Sequence, residues 1–194
     1  MILIDPELDL SATADALRPI SAARTRGLAT VQETKSLRLP SMRTLARFLT
    51  EAQAVVRLRG HVSVLLTSDA ALRSLNRRFR GKNKLTDVLS FPAVNLVQTR
   101  KKDRERGDLA ISVETALRQA IEHEHSLATE IKVLILHGVL HLAGYDHETD
   151  SGQMQRRERS LRVRLGLPSG LIERTSARRS FRPKTRPAAG GRKS

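Results

Sequence analysis

The sequence contains no cysteine, so disulfide bridges and thiolate metal sites are excluded at the outset. Tryptophan is absent too, tyrosine occurs once and phenylalanine four times in 194 residues. Aromatics this scarce argue against a base-stacking platform of the kind that reads single strands. No apolar run reaches the roughly 18 residues that suggest a membrane-spanning helix, so no membrane association is expected. Nothing at the start resembles a secretory leader: Met1-Ile2-Leu3-Ile4 runs straight into Asp5-Pro6, with no basic region ahead of it. Together these absences suit a cytoplasmic chain. Acid is also in short supply. Against 35 Lys and Arg stand 20 Asp and Glu, and the resulting net charge of +15 draws the protein to polyanions. The length allows one ordinary domain with a real core.

The most informative stretch is Ile131 to Asp150, I-K-V-L-I-L-H-G-V-L-H-L-A-G-Y-D-H-E-T-D. From Val133 to Ala143 it is apolar apart from His137, Gly138 and His141, which reads as a helix buried on most sides. Residues four apart share a helix face, so His137 and His141 point the same way, about 6 Å apart. Gly144 suits the left-handed turn that ends a helix. The chain then doubles back and presents His147. Burying three neutral imidazoles without partners would cost on the order of 1–3 kcal/mol each, and one divalent cation satisfies all three. Zinc suits imidazole ligands in tetrahedral geometry, so one Zn2+ per chain on His137, His141 and His147 is expected. Three protein ligands leave a fourth position open, as in catalytic sites. The His-x3-His-x5-His spacing is that of extended zinc proteases, but their general-base Glu follows the first His, and here that residue is Gly138. A metalloprotease is thereby weakened as a reading.

The remaining chain reads as alternating elements. Short strands are expected near 2–4, 62–67, 87–91 and 108–112. Helices are expected from a Ser41 cap to about Val56, from a Ser68 or Asp69 cap through Leu72, Leu75 and Phe79, and from a Ser112 cap to about His123. A last helix spans Gln153 to Leu165, with Met154, Leu161 and Leu165 packing and its many Arg outside. Including the metal-bearing helix, this makes an α+β domain with a small mixed four-stranded sheet and about five helices. Residues 11–40 read as an irregular insertion within a domain of residues 1–173. From Arg174 to Ser194 the chain has eight Lys or Arg and no acid, which reads as a disordered basic tail. Asn95 to Arg106 reads as a polar loop or hairpin. The run Arg77, Arg78, Arg80, Lys82 and Lys84 is either a solvated charged face or a loop that grips phosphate, for which the planar fork of Arg is well shaped. His61 reads as a surface residue, His123 and His125 are two apart and cannot share a helix face, and Glu130 reads as support or surface rather than ligand.

Three blocks in order resemble the YbeY family of bacterial metal-dependent endoribonucleases of rRNA maturation. They are L-N-R-R-F-R-G-K-N-K-L-T-D-V-L-S-F-P from Leu75 to Pro92, G-D-L-A-I-S-V-E-T-A from Gly107 to Ala116, and H-G-V-L-H-L-A-G-Y-D-H from His137 to His147. Leu85 stands where that family usually has Pro, and Glu124 where a Gly often precedes His-Ser-Leu. The resemblance implies an endoribonuclease acting on single-stranded RNA, with rRNA precursor or defective ribosomes as substrate and ribosomal proteins as possible partners. It singles out Arg80 as the catalytic residue that steadies charge on the phosphate. Asp87 and Asp146 are both candidates for general base, and either water or the RNA 2′-OH can be the nucleophile. A non-catalytic ribosome-associated protein with a structural metal is the remaining alternative.

Overall fold

The computed structural model describes residues 1–8, 38–93 and 105–168. The basic tail from Arg174, nearly all of the expected insertion at 11–40 and most of the expected loop at 95–106 lie outside these residues. Within them, four strands form one sheet: β1 (Ile2–Ile4), β2 (His61–Thr67), β3 (Val88–Pro92) and β4 (Glu105–Ser112). Their spatial order is β1-β2-β4-β3. β1 and β4 run parallel to β2, and β3 pairs antiparallel to β4, so the sheet is mixed as expected.

Five helices accompany the sheet among the described residues: α1 (Met42–Val56), α2 (Asp69–Arg80), α3 (Val113–Glu122), α4 (Leu127–Leu142) and α5 (Gln153–Arg164). Serine caps four of them. Ser41, Ser68, Ser112 and Ser126 each accept a hydrogen bond from the backbone N–H three residues on, satisfying a donor that the first turn leaves open. α5 has no such side-chain cap at Gly152. Instead the Asp150 carboxylate accepts from the N–H groups of Gly152, Gln153 and Met154 at 2.7–3.0 Å. A negative charge there also complements the helix dipole.

α4 is the centre of the molecule, packed against α1, α3, α5, β3 and β4. Its residues from Ile131 to Leu142 are buried except Lys132 and His141. Around it one core gathers the apolar stripe of α1 (Leu45, Phe48, Leu49, Ala52, Val56) with Val62, Val64 and Leu66 of β2 and Leu109 and Ile111 of β4. Among the described residues α2 is the helix that covers the opposite face, where Leu72 packs with Leu89 and Ala110.

The structure departs from expectation in three places. β4 begins at Glu105, because Glu105 pairs with His61 and the Arg106 side chain reaches the Arg59 carbonyl at 2.6 Å. Phe79 shares the face of Leu72 and Leu75, yet it is 58% exposed, since the small cluster beneath α2 extends no further than Phe91. Arg162, expected outside with the other arginines of α5, is almost wholly buried.

Two glycines are required by close approach. Gly107 has φ +140°, and a Cβ there would lie 2.2 Å from the Phe91 carbonyl oxygen. Gly138 brings α4 down onto the sheet, and a Cβ on it would come within 2.7 Å of Leu109 Cδ2, a side chain with no exposed surface. Overpacking at such a site costs about 1–3 kcal/mol, against a gain in helix propensity of about 1 kcal/mol for Gly to Ala. Gly138→Ala should therefore lower stability by about 1 kcal/mol net in chemical denaturation. A midpoint unchanged or raised would show that Leu109 yields without cost.

Candidate metal centre

α4 carries His137 and His141 one turn apart, and the chain after it returns His147 to the same place. Gly144, at φ +92°, makes that return possible. Its N–H donates to the His141 carbonyl at 2.9 Å and the N–H of Tyr145 donates to the Leu140 carbonyl at 3.1 Å. This paired closure ends the helix and reverses the chain. The segment that follows is pinned by Asp146: its carboxylate accepts from the Glu148 N–H at 3.0 Å and its carbonyl from the Asp150 N–H at 2.9 Å. His147, although exposed, is thus held between two anchored turns.

The three imidazoles converge as their spacing led us to expect. One ring nitrogen from each lies within 4.8 Å of the other two. Ring centroids are 4.8–5.4 Å apart, and the Nε2 atoms of His137 and His141 stand 3.1 Å apart. Nitrogens bound to one tetrahedral zinc at 2.0–2.1 Å sit about 3.3 Å from each other. The donor set is therefore right in kind and close to right in spacing for a metal ion.

His137 is oriented from behind. Its Nδ1 meets Glu158 of α5 at 3.1 Å, so the proton sits on Nδ1 and the Nε2 lone pair faces the other imidazoles. Carboxylates support metal-binding histidines in this way. Glu158 is itself held by Arg162, whose Nε donates to Oε1 at 2.8 Å and whose Nη2 donates to the same oxygen. Arg162 Nη1 in turn donates to the Pro168 carbonyl at 3.2 Å. Neither Glu158 nor Arg162 was identified from the sequence. The available signal was their position four apart on the same face as Met154, Leu161 and Leu165, where an isolated charge would be untenable but a paired one is not.

Titration follows from these surroundings. Burial, followed by the charges of His137 and His147, pushes His141 down to about 4, with Arg80 acting in the same direction and Asp146 against it. Its imidazole is therefore neutral and able to ligate well below pH 7. Burial by itself would raise the Glu158 carboxyl, but the hydrogen bond and charge of His137 together with Arg162 outweigh it and bring it to about 2.

A cleft of about 650 Å³ opens over the histidines, and Arg80, Lys82, Asp87, Ser90, Tyr145 and Asp146 contribute to its walls. Arg80, the other residue singled out in the sequence, thus shares one cavity with the imidazoles. Both candidate bases line it as well. Asp87 accepts from Gln119 Nε2 at 3.0 Å and from the Val88 N–H at 2.8 Å. The Asp146 carboxyl is lowered, chiefly by the Glu148 N–H. The basic loop is not loose. Asn76 Nδ2 donates to the Lys84 carbonyl at 2.9 Å and Arg73 Nε to Asn83 at 2.8 Å. The other histidines stay apart from the centre: His61 is exposed, and His125 is bonded to Glu130, which is buried support rather than a ligand. Glu124 has φ +56°, a left-handed conformation in which glycine would be at ease.

Comparison with known proteins agrees in family. The model of the family described as Endoribonuclease YbeY matches residues 28–166. An Endoribonuclease YbeY of Koribacter versatilis is 54% identical over 142 residues, covering 73% of this chain and 89% of that protein. One of Solibacter usitatus is 46% identical over the same coverage of both. A solution structure of a Thermotoga maritima protein aligns with 77% of this chain and 97% of its own at 24% identity and a TM-score of 0.46. Among the described residues no helix is long and apolar enough to cross a membrane.

The folded value of Glu158 lies below that of an unfolded Glu. Its ionised form therefore stabilises the fold fully above about pH 4.5, and that contribution is lost as pH falls toward 2. A displacement this large is linked to roughly 3 kcal/mol. In metal-stripped protein, Glu158→Gln should flatten the loss of stability between pH 5 and pH 2 seen in the parent chain. Parallel curves for the two proteins would show that the carboxylate is not paired as described.

Proposed function

Because the chain belongs to the YbeY endoribonuclease family, we propose that it is a zinc-dependent endoribonuclease that cuts single-stranded RNA, acting in the cytoplasm on rRNA precursor and defective ribosomes. The observation that carries this reading is the convergence of His137, His141 and His147 on the floor of a cleft whose wall carries Arg80. In this reading the three imidazoles hold one Zn2+ per chain, with His137 kept in the ligating tautomer by Glu158. A zinc ion there supplies a Lewis acid for a phosphoryl oxygen or for the attacking water.

The chain's own residues supply the rest. Arg80 presents a planar fork to the phosphate and stabilises the charge that grows on it in the transition state. Lys82, on the same wall, adds attraction without direction. Asp87 and Asp146 are two of the three carboxylates that line the cleft with Glu148, and either can take up the nucleophile's proton. Peptide hydrolysis by the extended zinc-protease route is disfavoured, because the position its base would occupy is Gly138, pressed against Leu109. A ribosome-associated protein with a purely structural metal would bind RNA and never cut it. Ribosomal proteins are expected partners in the nuclease reading.

Metal analysis should find about one zinc per chain, and His141→Ala should lose most of it. Undiminished metal after replacing all three histidines would place the ion elsewhere. Cleavage of single-stranded RNA should stop with chelator and return with zinc. Arg80→Ala should keep its metal and its fold while the single-turnover rate at saturating protein falls by about 10²–10³, the usual loss for one electrostatic donor. Arg80→Lys should recover only part, because a point charge lacks the two-pronged contact. A rate unaffected by removal of Arg80 would leave it a surface cation.

A further inference from the structure

Phe79 is left exposed where the fold had an apolar face to use. Phe48 is buried and Phe91 half-buried, whereas Phe79 gives 58% of its surface to solvent. It is nonetheless fixed in place. Its ring meets Phe91 at 5.3 Å between centroids with the planes at 71°, and Phe91 precedes Pro92, which lines the metal cleft. The next residue along α2 is Arg80, on the wall of that cleft. The Arg78 guanidinium lies over the ring, 5.3 Å from its centroid, and Arg77, Lys82 and Lys84 are close to it along the chain. The loop carrying the two lysines is tied back through Asn76 and Arg73, so the surface is largely ordered before any ligand arrives.

We propose that Phe79 is a base-stacking residue, taking one unpaired nucleobase of single-stranded RNA onto its exposed ring while Arg80 holds a neighbouring phosphate at the metal cleft. The inference rests on the nuclease reading and adds to it a source of selectivity. A base in a duplex has both faces occupied by its neighbours, so only an unpaired base can lie on the ring. An exposed aromatic among cations matches a polyanion that carries flat rings, and base–aromatic stacking tolerates any base because each has a π-face. The low aromatic content of the chain excludes an extended platform, but a single ring beside the cleft suffices to seat one base. Phe79 acts here as a positioning residue: it fixes which phosphate lies under the metal, without touching the bond that breaks.

The chain has no tryptophan, so Phe79→Trp introduces a single tryptophan that can be excited selectively over Tyr145 in the full-length protein. With chelator present to prevent cleavage, a single-stranded oligoadenylate should quench it. An abasic ribose-phosphate oligomer of equal length and an RNA duplex should not. Phe79→Leu keeps an apolar contact with Phe91 and should melt with the parent chain, yet bind the oligoadenylate about tenfold more weakly, within the range for one lost stack. Its affinity for the abasic oligomer should equal that of the parent, and in cleavage its KM should rise more than its kcat falls. RNA binding by the parent with no loss in Phe79→Leu, or an equal loss toward the abasic oligomer, would overturn the stacking role alone. That outcome would leave the patch to an apolar protein partner. A parent chain that neither binds nor cuts RNA would overturn the nuclease reading and this inference with it. Should the leucine variant melt early, the quench of the tryptophan variant by oligoadenylate over abasic oligomer decides the matter.

Discussion

The contact on which most of the structure depends is the buried carboxylate of Glu158 between His137 and Arg162. Taking a carboxylate out of water costs several kcal/mol, and the cost is recovered only when both oxygens are engaged with good geometry. Here one oxygen receives the imidazole N–H and the other the guanidinium, so the charge is satisfied on both sides. The same contact serves packing and chemistry together. It docks α5 onto α4, and it sets the tautomer that frees His137 Nε2. Removing one member would leave another buried with part of its hydrogen bonding lost, which is costlier than never having placed the group there.

α4 supplies the second constraint, through its insulation. A helix enclosed by α1, α3, α5 and two strands meets solvent only in part, at Ala128, Thr129 and Lys132 toward its start and at His141 near its end. Burial keeps that imidazole neutral, which is the state a ligand must have. Gly138 is the means of enclosure, because it lets the backbone settle onto Leu109. The substitution that separates this helix from a protease helix is thus tied to packing as well as to chemistry. A glutamate side chain there would have to displace the core before it could activate anything.

How much of this could be read beforehand depended on distance along the chain. The imidazoles fall within eleven residues, and helical spacing with Gly144 was enough to bring them together. The serine caps are local in the same sense, which is why the helix starts at Ser41, Ser68 and Ser112 agree with the structure. Glu158 lies 21 residues beyond the histidine it orients, on a helix so rich in arginine that its charges read as solvated. No local pattern says that one charged pair on such a helix faces inward; only the neighbouring Met154 and Leu161 hinted at it. Phe79 erred in the other direction. Its periodicity was that of a packing residue, and whether a partner lay beneath it depended on the strand order, which spacing alone does not determine.

The link from Arg162 to the Pro168 carbonyl carries a consequence for how the protein is made. Translation proceeds from the N-terminus, so the imidazoles leave the exit tunnel before Glu158, Arg162 and Pro168 have all emerged. Until they do, His137 has no partner to settle its tautomer and α4 lacks one of its flanking walls. The centre therefore cannot be complete until α5 has been synthesised. A nascent chain stalled before residue 158 would carry the three imidazoles without the carboxylate that aims His137.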